Sequence, residues 1–219
     1  MSLMIALPCY GGQVSEKTTS GLFNLGKMLV RNDIPHGLLT LANSSLISQG
    51  RSKIANFFVN NTDYEYLFFL DSDIGFDPAD VIKLMDYRRS ITCAAYPMKT
   101  IPLRYNYTVS QPPVQQGPLV KIDSMGMGFV MIHRNVFLDV QQKFGQELHY
   151  IPDDGSSNVA LTENERTNSF HYFLEMKRGP SYMAEDISFF TRAREVGHDA
   201  WLDTSVDLCH IGSHVFRAE

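Results

Sequence analysis

Through the first hundred residues, short apolar runs alternate with longer segments whose apolar residues recur every three or four positions. Met4-Ile5-Ala6-Leu7, closed by Pro8-Cys9-Tyr10-Gly11-Gly12, predicts a strand running into a turn. Leu22, Leu25, Met28 and Leu29 then fall at helical spacing and stop near Asn32-Asp33. His36 to Ala42 predicts a second strand, and Arg51 to Val59 a helix with Ile54, Phe57 and Phe58 on its apolar face. Tyr66 to Leu70 is apolar throughout and predicts a strand buried on both faces. Asp77-Pro78-Ala79-Asp80 opens the next helix: a capping oxygen, proline where no N–H is needed, and acid in the first turn. Val81, Leu84 and Met85 form its buried stripe, and Ile91 to Ala95 predicts a further strand.

The resulting order, β-α-β-α-β-α-β, argues for an α/β fold with a largely parallel sheet between helices. Ligands of such sheets bind beyond the carboxyl ends of the strands, where Tyr10, Asn43 and Asp71 all fall. The second half is less regular. Arg104 to Lys121 reads as a loop or loose hairpin, Phe129 to His133 as a strand and Asn135 to Phe144 as a short helix. Ile151 to Gly179 is polar with few apolar anchors and reads as one long loop. Glu185 to Val196 predicts a helix ended by Gly197, and Trp201 reads as a core aromatic.

A length of 219 residues suits a single domain, and no internal repeat is visible. The net charge of −5 gives no electrostatic footprint for nucleic acid. Cys9, Cys93 and Cys209 lie far apart in apolar surroundings, without zinc spacing, and read as reduced core thiols. No apolar run approaches a membrane span of roughly 20 residues, and no signal peptide is recognisable. The expectation is a soluble cytoplasmic protein, so the Asn-x-Ser/Thr sequons at Asn43, Asn60 and Asn106 read as chance.

The chemistry concentrates where the buried strand ends, in Leu70-Asp71-Ser72-Asp73-Ile74-Gly75. Side chains two apart on a strand share a side, so Asp71 and Asp73 are expected to act on one object. Two carboxylates at one point repel, and a hard cation such as Mg2+ or Mn2+ relieves that repulsion. The plainer reading is two aspartates in a solvated loop.

This apolar-strand-Asp-x-Asp segment resembles the DxD motif of GT-A-fold glycosyltransferases, and the resemblance extends along most of the chain. Pro8-Cys9-Tyr10 resembles that family's uridine-contacting turn, and Ser48-Gln49-Gly50-Arg51-Ser52 its helix start facing the nucleotide. Tyr96-Pro97-Met98-Lys99 and Met125-Gly126-Met127-Gly128-Phe129 resemble later segments of small members, including virus-encoded ones. Ala184-Glu185-Asp186 resembles the xED motif and His210-Ile211-Gly212 the metal-binding His-x-Gly segment. The resemblance implies a GT-A fold, Rossmann-like with a central mixed, mostly parallel sheet flanked by helices. Residues 1–100 would be the nucleotide-binding half and 101–219 the acceptor side.

It further implies a nucleotide-diphosphate sugar donor, UDP-linked, a glycan or glycoprotein acceptor, and a Mn2+ or Mg2+ cofactor. Asp73 and His210 would ligate the metal, with Asp71 on the metal or the ribose. Donor contacts would come from Pro8, Tyr10, Asn43, Arg51, Asp71, Ser72, Lys99, Gly126 and Gly128. A virus-encoded member would act in the host cytoplasm.

Each of these residues also has a bland reading. Tyr10 is a base-stacking or a core aromatic, and Arg51 and Lys99 are diphosphate partners or surface charges. Gly126 and Gly128 admit a sugar or shape a bulge. His210 is a ligand or a bonded core histidine; Gly212 disfavours a helix carrying both His210 and His214, leaving His214 as an outer contact. Glu185 and Asp186 complement a helix dipole, or Asp186 is the base for an inverting transfer, and in a retaining one it steadies the sugar cation. Three rivals remain. A haloacid-dehalogenase-type phosphohydrolase would have Thr or Val after the second Asp and its motif near the N-terminus. A sugar-nucleotide pyrophosphorylase would have a basic Gly-rich loop after the first strand. A non-catalytic sugar- or nucleotide-binding domain would keep the fold without turnover.

Overall fold

Strand alternation organises the core. In a computed structural model, which describes residues 1–152, 163–212 and 214–217, strands β1 (Leu3–Cys9), β2 (His36–Ala42) and β3 (Tyr66–Leu70) run parallel in the order β2-β1-β3. Met4 and Ala6 of β1, with Leu67 and Phe69 of β3, point to one face of the sheet. Leu3, Ile5, Leu7, Tyr66, Phe68 and Leu70 point to the other. Helix α1 (Glu16–Arg31) and helix α3 (Pro78–Asp86) cover the second face with Leu25, Leu29, Val81, Leu84 and Met85. Helix α2 (Ile47–Asn61) covers the first with Ile54 and Phe58, while Phe57, expected beside them, is 43% exposed because it points past the sheet edge. Asp77 caps α3 as its sequence predicts, accepting the Ala79 N–H at 2.9 Å.

The short strand β4 (Ile74–Gly75) follows β3, and β5 (Ile91–Cys93) follows α3, but β5 is not the neighbour of β3. Between them lies β9 (Phe129–His133), antiparallel to both, and this corrects the parallel run that the first half predicts. β9 is buried on both faces, with Val130 and Ile132 on one and Phe129 and Met131 on the other. The segment read as a loose hairpin forms β6 (Tyr107–Val109), β7 (Gln115–Gln116) and β8 (Leu119–Met125). With β12 (Ala200–Asp203) they complete one mixed sheet, β2-β1-β3-β9-β5-β12-β8-β6, in which β8 and β9 oppose the rest. Helix α4 (Arg134–Leu148) and helix α6 (Glu185–Glu195) join α2 on the first face. Trp201 is buried, under the Arg89 guanidinium at 4.9 Å. The three cysteines are free, Cys9 and Cys93 buried and Cys209 partly so.

The long polar loop proves half wrong. Residues 153–162 lie outside the described ones, and a short helix α5 (Glu163–Thr167) follows. Then Phe170, Tyr172 and Phe173 plunge into the core. Helix α2 fastens them: Asn56 donates to Phe170 O and accepts its N–H, both at 2.9 Å, and Ser52 Oγ accepts the Phe173 N–H at 3.2 Å. The hairpin β10 (Met176–Arg178) and β11 (Ser181–Met183) leads into α6. The chain ends in β13 (Cys209–Ile211) and β14 (Val215–Phe216), a hairpin that docks on β4.

Asp203, buried at the end of β12, accepts hydrogen bonds from Tyr87 Oη at 2.8 Å and Ser205 N–H at 2.8 Å, and pairs with Lys83 Nζ at 3.0 Å. Burial alone would raise its pKa, but the Ser205, Tyr87 and Lys83 donors outweigh it and hold the carboxyl below its ordinary value. Burial and the bond to Asp203 push Tyr87 up to about 12. A depressed carboxylate stabilises the fold above its unfolded pKa, about 4, and loses that contribution as pH falls through the folded value. Asp203→Ala is therefore expected to cost about 1–3 kcal/mol at neutral pH, since it leaves the Tyr87 hydroxyl without its acceptor while Lys83, 37% exposed, is rehydrated, with a gap to wild type that narrows in acid. Urea melts of both proteins at pH 7 and pH 3 read this directly.

Candidate functional site

The site forms where β1, β2 and β3 end. Cys9 pairs with Ala42 across β1 and β2, so Tyr10 and Asn43 leave the sheet side by side. A 3-10 turn (Tyr10–Gly12) follows, with φ of +77° at Gly11 and +69° at Gly12, a path that glycine takes without a Cβ clash. Tyr10 is 79% exposed, so its core reading is excluded. Pro8 is the penultimate residue of β1, and Asn43 is exposed with φ +59°.

Asp71, Ser72 and Asp73 sit in the turn between β3 and β4, not in a strand. The turn is closed by Ile74 N–H to Asp71 O at 3.2 Å. It is pinned by Asp71 N–H to Gly128 O at 2.9 Å and by Ser15 N–H to Ser72 O at 2.8 Å. The strand alternation expected to aim both carboxylates at one object does not operate here, and each aspartate has its own partners.

Asp73 faces the C-terminal hairpin. Its Oδ1 lies 3.3 Å from His210 Nε2, and its Oδ2 receives Lys99 Nζ at 2.5 Å. Backbone pairing enforces this meeting: His210 is registered with Ile74, and Ile211 N–H donates to Asp73 O at 2.8 Å. His210 Nδ1 stands 2.9 Å from Pro97 O. A carbonyl only accepts, so Nδ1 carries a hydrogen and Nε2 is left to face the carboxylate. Burial raises the Asp73 pKa, but His210 and Lys99 overcome it and the carboxyl lies below its ordinary value. An imidazole nitrogen opposite a carboxylate oxygen requires a shared proton or a cation, and this O,N donor pair fits a divalent metal. Among the described residues no three His, Cys, Asp or Glu side chains converge as a ready-made cage. The expected third ligand, Asp71, is turned toward Arg51.

Arg51, whose side chain is only 6% exposed, is the second centre. Its Nη2 lies 3.3 Å from Asp71 Oδ1 and its Nη1 2.6 Å from Glu185 Oε1. The surface-charge reading of Arg51 therefore fails, and so does a guanidinium free for diphosphate, because both ends are committed to carboxylates. Glu185 is correspondingly held as an anchor. Asp186 beside it accepts the Ile187 N–H at 2.7 Å. Burial first, then the Glu185 charge, raise the Asp186 pKa against the smaller lowering effects of that N–H and Arg51.

Gly126 and Gly128 are buried, and the close approach they permit is to Tyr96. A Cβ on Gly126 would stand 2.5 Å from Tyr96 Oη, and one on Gly128 2.7 Å from Asp71 Oδ2 and 2.8 Å from the Tyr96 ring. Tyr96 accepts the Gly128 N–H at 3.1 Å and meets His210 edge-on at 5.3 Å. Burial and the Asp71 charge raise its pKa. It thus bridges the two aspartate centres, a role the sequence does not give it: the resemblance of Tyr96-Pro97-Met98-Lys99 to a family segment marks its place but not its partners. The pairing of Lys99 with Asp73 also went unread. His214 is exposed, edge-on to Phe216, and its carbonyl closes the hairpin by accepting the Gly212 N–H at 2.9 Å.

No family model and no curated protein matches the sequence. Among solved structures the chain is similar to A197 from STIV, at a TM-score of 0.55 and 18% identity over 97% of this chain and 86% of that one. It is also similar to UDP-glucose pyrophosphorylase complexed with UDP-glucose, at a TM-score of 0.49 and 8% identity over 99% and 92%. A third is a glycosyltransferase involved in glycosylation of the major capsid of PBCV-1, at 0.36 and 11% over 72% and 68%. No helix among the described residues is long and apolar enough to cross a membrane. The fold is α/β, a central mixed sheet between helices with the candidate site at the strands' carboxyl ends, and its likeness to A197 from STIV is one of fold.

Proposed function

We propose that the chain is a metal-dependent glycosyltransferase that moves a sugar from a nucleotide diphosphate, UDP-linked, to a glycan or protein-linked acceptor. The observation that carries this reading is the meeting of Asp73 with His210 across 137 residues of sequence, on a hairpin fixed at the strand ends by backbone pairing. Asp73 and His210 would hold Mn2+ or Mg2+, and the bound ion would supply positive charge against the departing diphosphate. Pro8, Tyr10 and Asn43 line the nucleotide side, Tyr10 offering an exposed ring for the base. Asp71 and Ser72 face the ribose from the turn, and Lys99, half-exposed on Asp73, is placed to follow the diphosphate. Gly126 and Gly128 act through Tyr96, keeping Asp71 in place. Asp186 takes the acceptor proton as the hydroxyl attacks, or steadies the sugar cation in a retaining reaction. Residues 1–100 serve the nucleotide and the remainder the acceptor.

The rivals fit less well. A phosphohydrolase would use Asp71 as a free nucleophile, whereas Arg51 engages it. A pyrophosphorylase would need a basic loop after β1, and the turn Tyr10–Gly12 has no basic residue. Calorimetry with UDP is expected to show binding in Mn2+ or Mg2+ and at least tenfold weaker binding in EDTA, about 1.4 kcal/mol. Equal affinity in both would sink the metal role of Asp73 and His210.

A further inference from the structure

Arg51 and Lys99 both bring positive charge to the aspartates, but they are held differently. Arg51 is buried, and both ends of its guanidinium are engaged, by Asp71 and by Glu185. Lys99 is 39% exposed and meets one carboxylate oxygen, Asp73 Oδ2, at 2.5 Å. Its backbone is pinned in a turn. Pro97 bridges to Tyr105, Met98 N–H donates to Arg104 O at 2.7 Å and Thr100 N–H to Met98 O at 2.8 Å. Its stem lies against the hairpin that carries His210, where a Cβ on Gly212 would stand 3.1 Å from Lys99 Cδ and 3.4 Å from Cε. The ammonium thus has a fixed base, a wet tip and a flexible aliphatic arm between them. Lys99 can exchange partners where Arg51 cannot.

Lys99 and a divalent ion claim the same carboxylate. Asp73 is the residue proposed to hold that ion with His210, and Asp71 is already engaged by Arg51. One carboxylate does not offset an ammonium and a divalent cation together. We infer that Lys99 is an exchangeable counter-cation: it pairs with Asp73 until ion and nucleotide diphosphate are both bound, and then moves to the phosphates. The inference rests on the metal-dependent reading above and adds to it a coupling between the two ligands. The partners of Lys99 are mutually exclusive. Its ion pair with Asp73 therefore opposes binding of the ion alone, and the diphosphate offsets that loss by taking the displaced ammonium. The ion enters with the diphosphate rather than ahead of it, and each ligand strengthens the other by the same factor. An accessible ion pair sets the contribution of Lys99 to that factor at about fivefold.

Lys99→Met tests this, since it removes the charge and keeps an unbranched stem against Gly212. Mn2+ is titrated without nucleotide and followed by loss of the free-ion electron paramagnetic resonance signal; UDP is titrated by calorimetry at saturating Mn2+. Lys99→Met is expected to bind Mn2+ alone about fivefold tighter than wild type, and UDP in saturating Mn2+ about fivefold more weakly. Lys99→Arg keeps the charge and should bind Mn2+ alone no tighter than wild type. A residue that merely held the turn would weaken both titrations, so the opposite signs are the signature of exchange. Mn2+ affinity that is unchanged or weaker in folded Lys99→Met, or UDP affinity that is unchanged, overturns the inference even where wild type needs the ion to bind UDP. Equal UDP affinity of wild type in Mn2+ and in EDTA overturns the metal reading, and this inference with it. If Lys99→Met misfolds, Lys99→Gln carries the same two titrations.

Discussion

Replacing Asp73 by alanine is expected to reduce sugar transfer, or hydrolysis of the donor, on the order of 10²- to 10³-fold or more, the loss typical of removing one preorganised electrostatic group from a reacting centre. The side chain touches His210 and Lys99 and nothing of the core, and it is 35% exposed. An ion pair this accessible contributes at most about 1 kcal/mol to stability, so the fold should survive, as a circular dichroism melt would show. His210→Ala should reproduce the loss, and the double variant should be little worse than either single one, because the two residues would act as one binding unit. Initial rates at saturating Mn2+ decide the matter. Unimpaired turnover in Asp73→Ala would remove it from the machinery.

Asp186→Asn is expected to lower transfer about 10²- to 10⁴-fold if Asp186 is the base, with UDP affinity within a factor of two or so of wild type. The amide keeps the shape and the bond to Ile187 N–H but cannot take a proton. Burial and the adjacent Glu185 raise the pKa of this carboxyl, so the active anion is lost at a higher pH than for a free aspartate. Activity should therefore fall in acid along a limb set above the ordinary aspartate value, and that limb should vanish in Asp186→Asn. Removing the Glu185 charge (Glu185→Gln) should move the limb to lower pH, while also freeing Arg51 from its 2.6 Å contact. Equal losses of donor binding and transfer in Asp186→Asn would assign it a structural role. Full ligand binding and an intact biological role without turnover would favour a non-catalytic domain.

Legibility in the sequence followed the range of the forces involved. The early elements were readable because each is set by neighbours a few positions apart. Residues His36–Ala42 and Tyr66–Leu70 form strands with the expected bounds, and Asp77-Pro78 starts α3. The segment from Phe170 to Phe173 was not readable, because its aromatics are anchored by Ser52 and Asn56, more than a hundred residues away. Strand β9 was recognised as a strand but not placed, since an apolar run buried on both faces fits any central position of a sheet.

By itself, then, the sequence determined the α/β alternation, the turn at Tyr10–Gly12 and the presence of two aspartates at the end of β3. These rest on local periodicity and on residues with restricted or permissive backbones. The tertiary structure alone decided what the aspartates face. A carboxylate's partners depend on which distant elements arrive beside it: β13 brings His210 to Asp73, while α2 brings Arg51, itself paired with Glu185 of α6, to Asp71. Sequence distance carries no record of those approaches, and so a pair that reads as one metal site divides into two linked centres with Tyr96 between them.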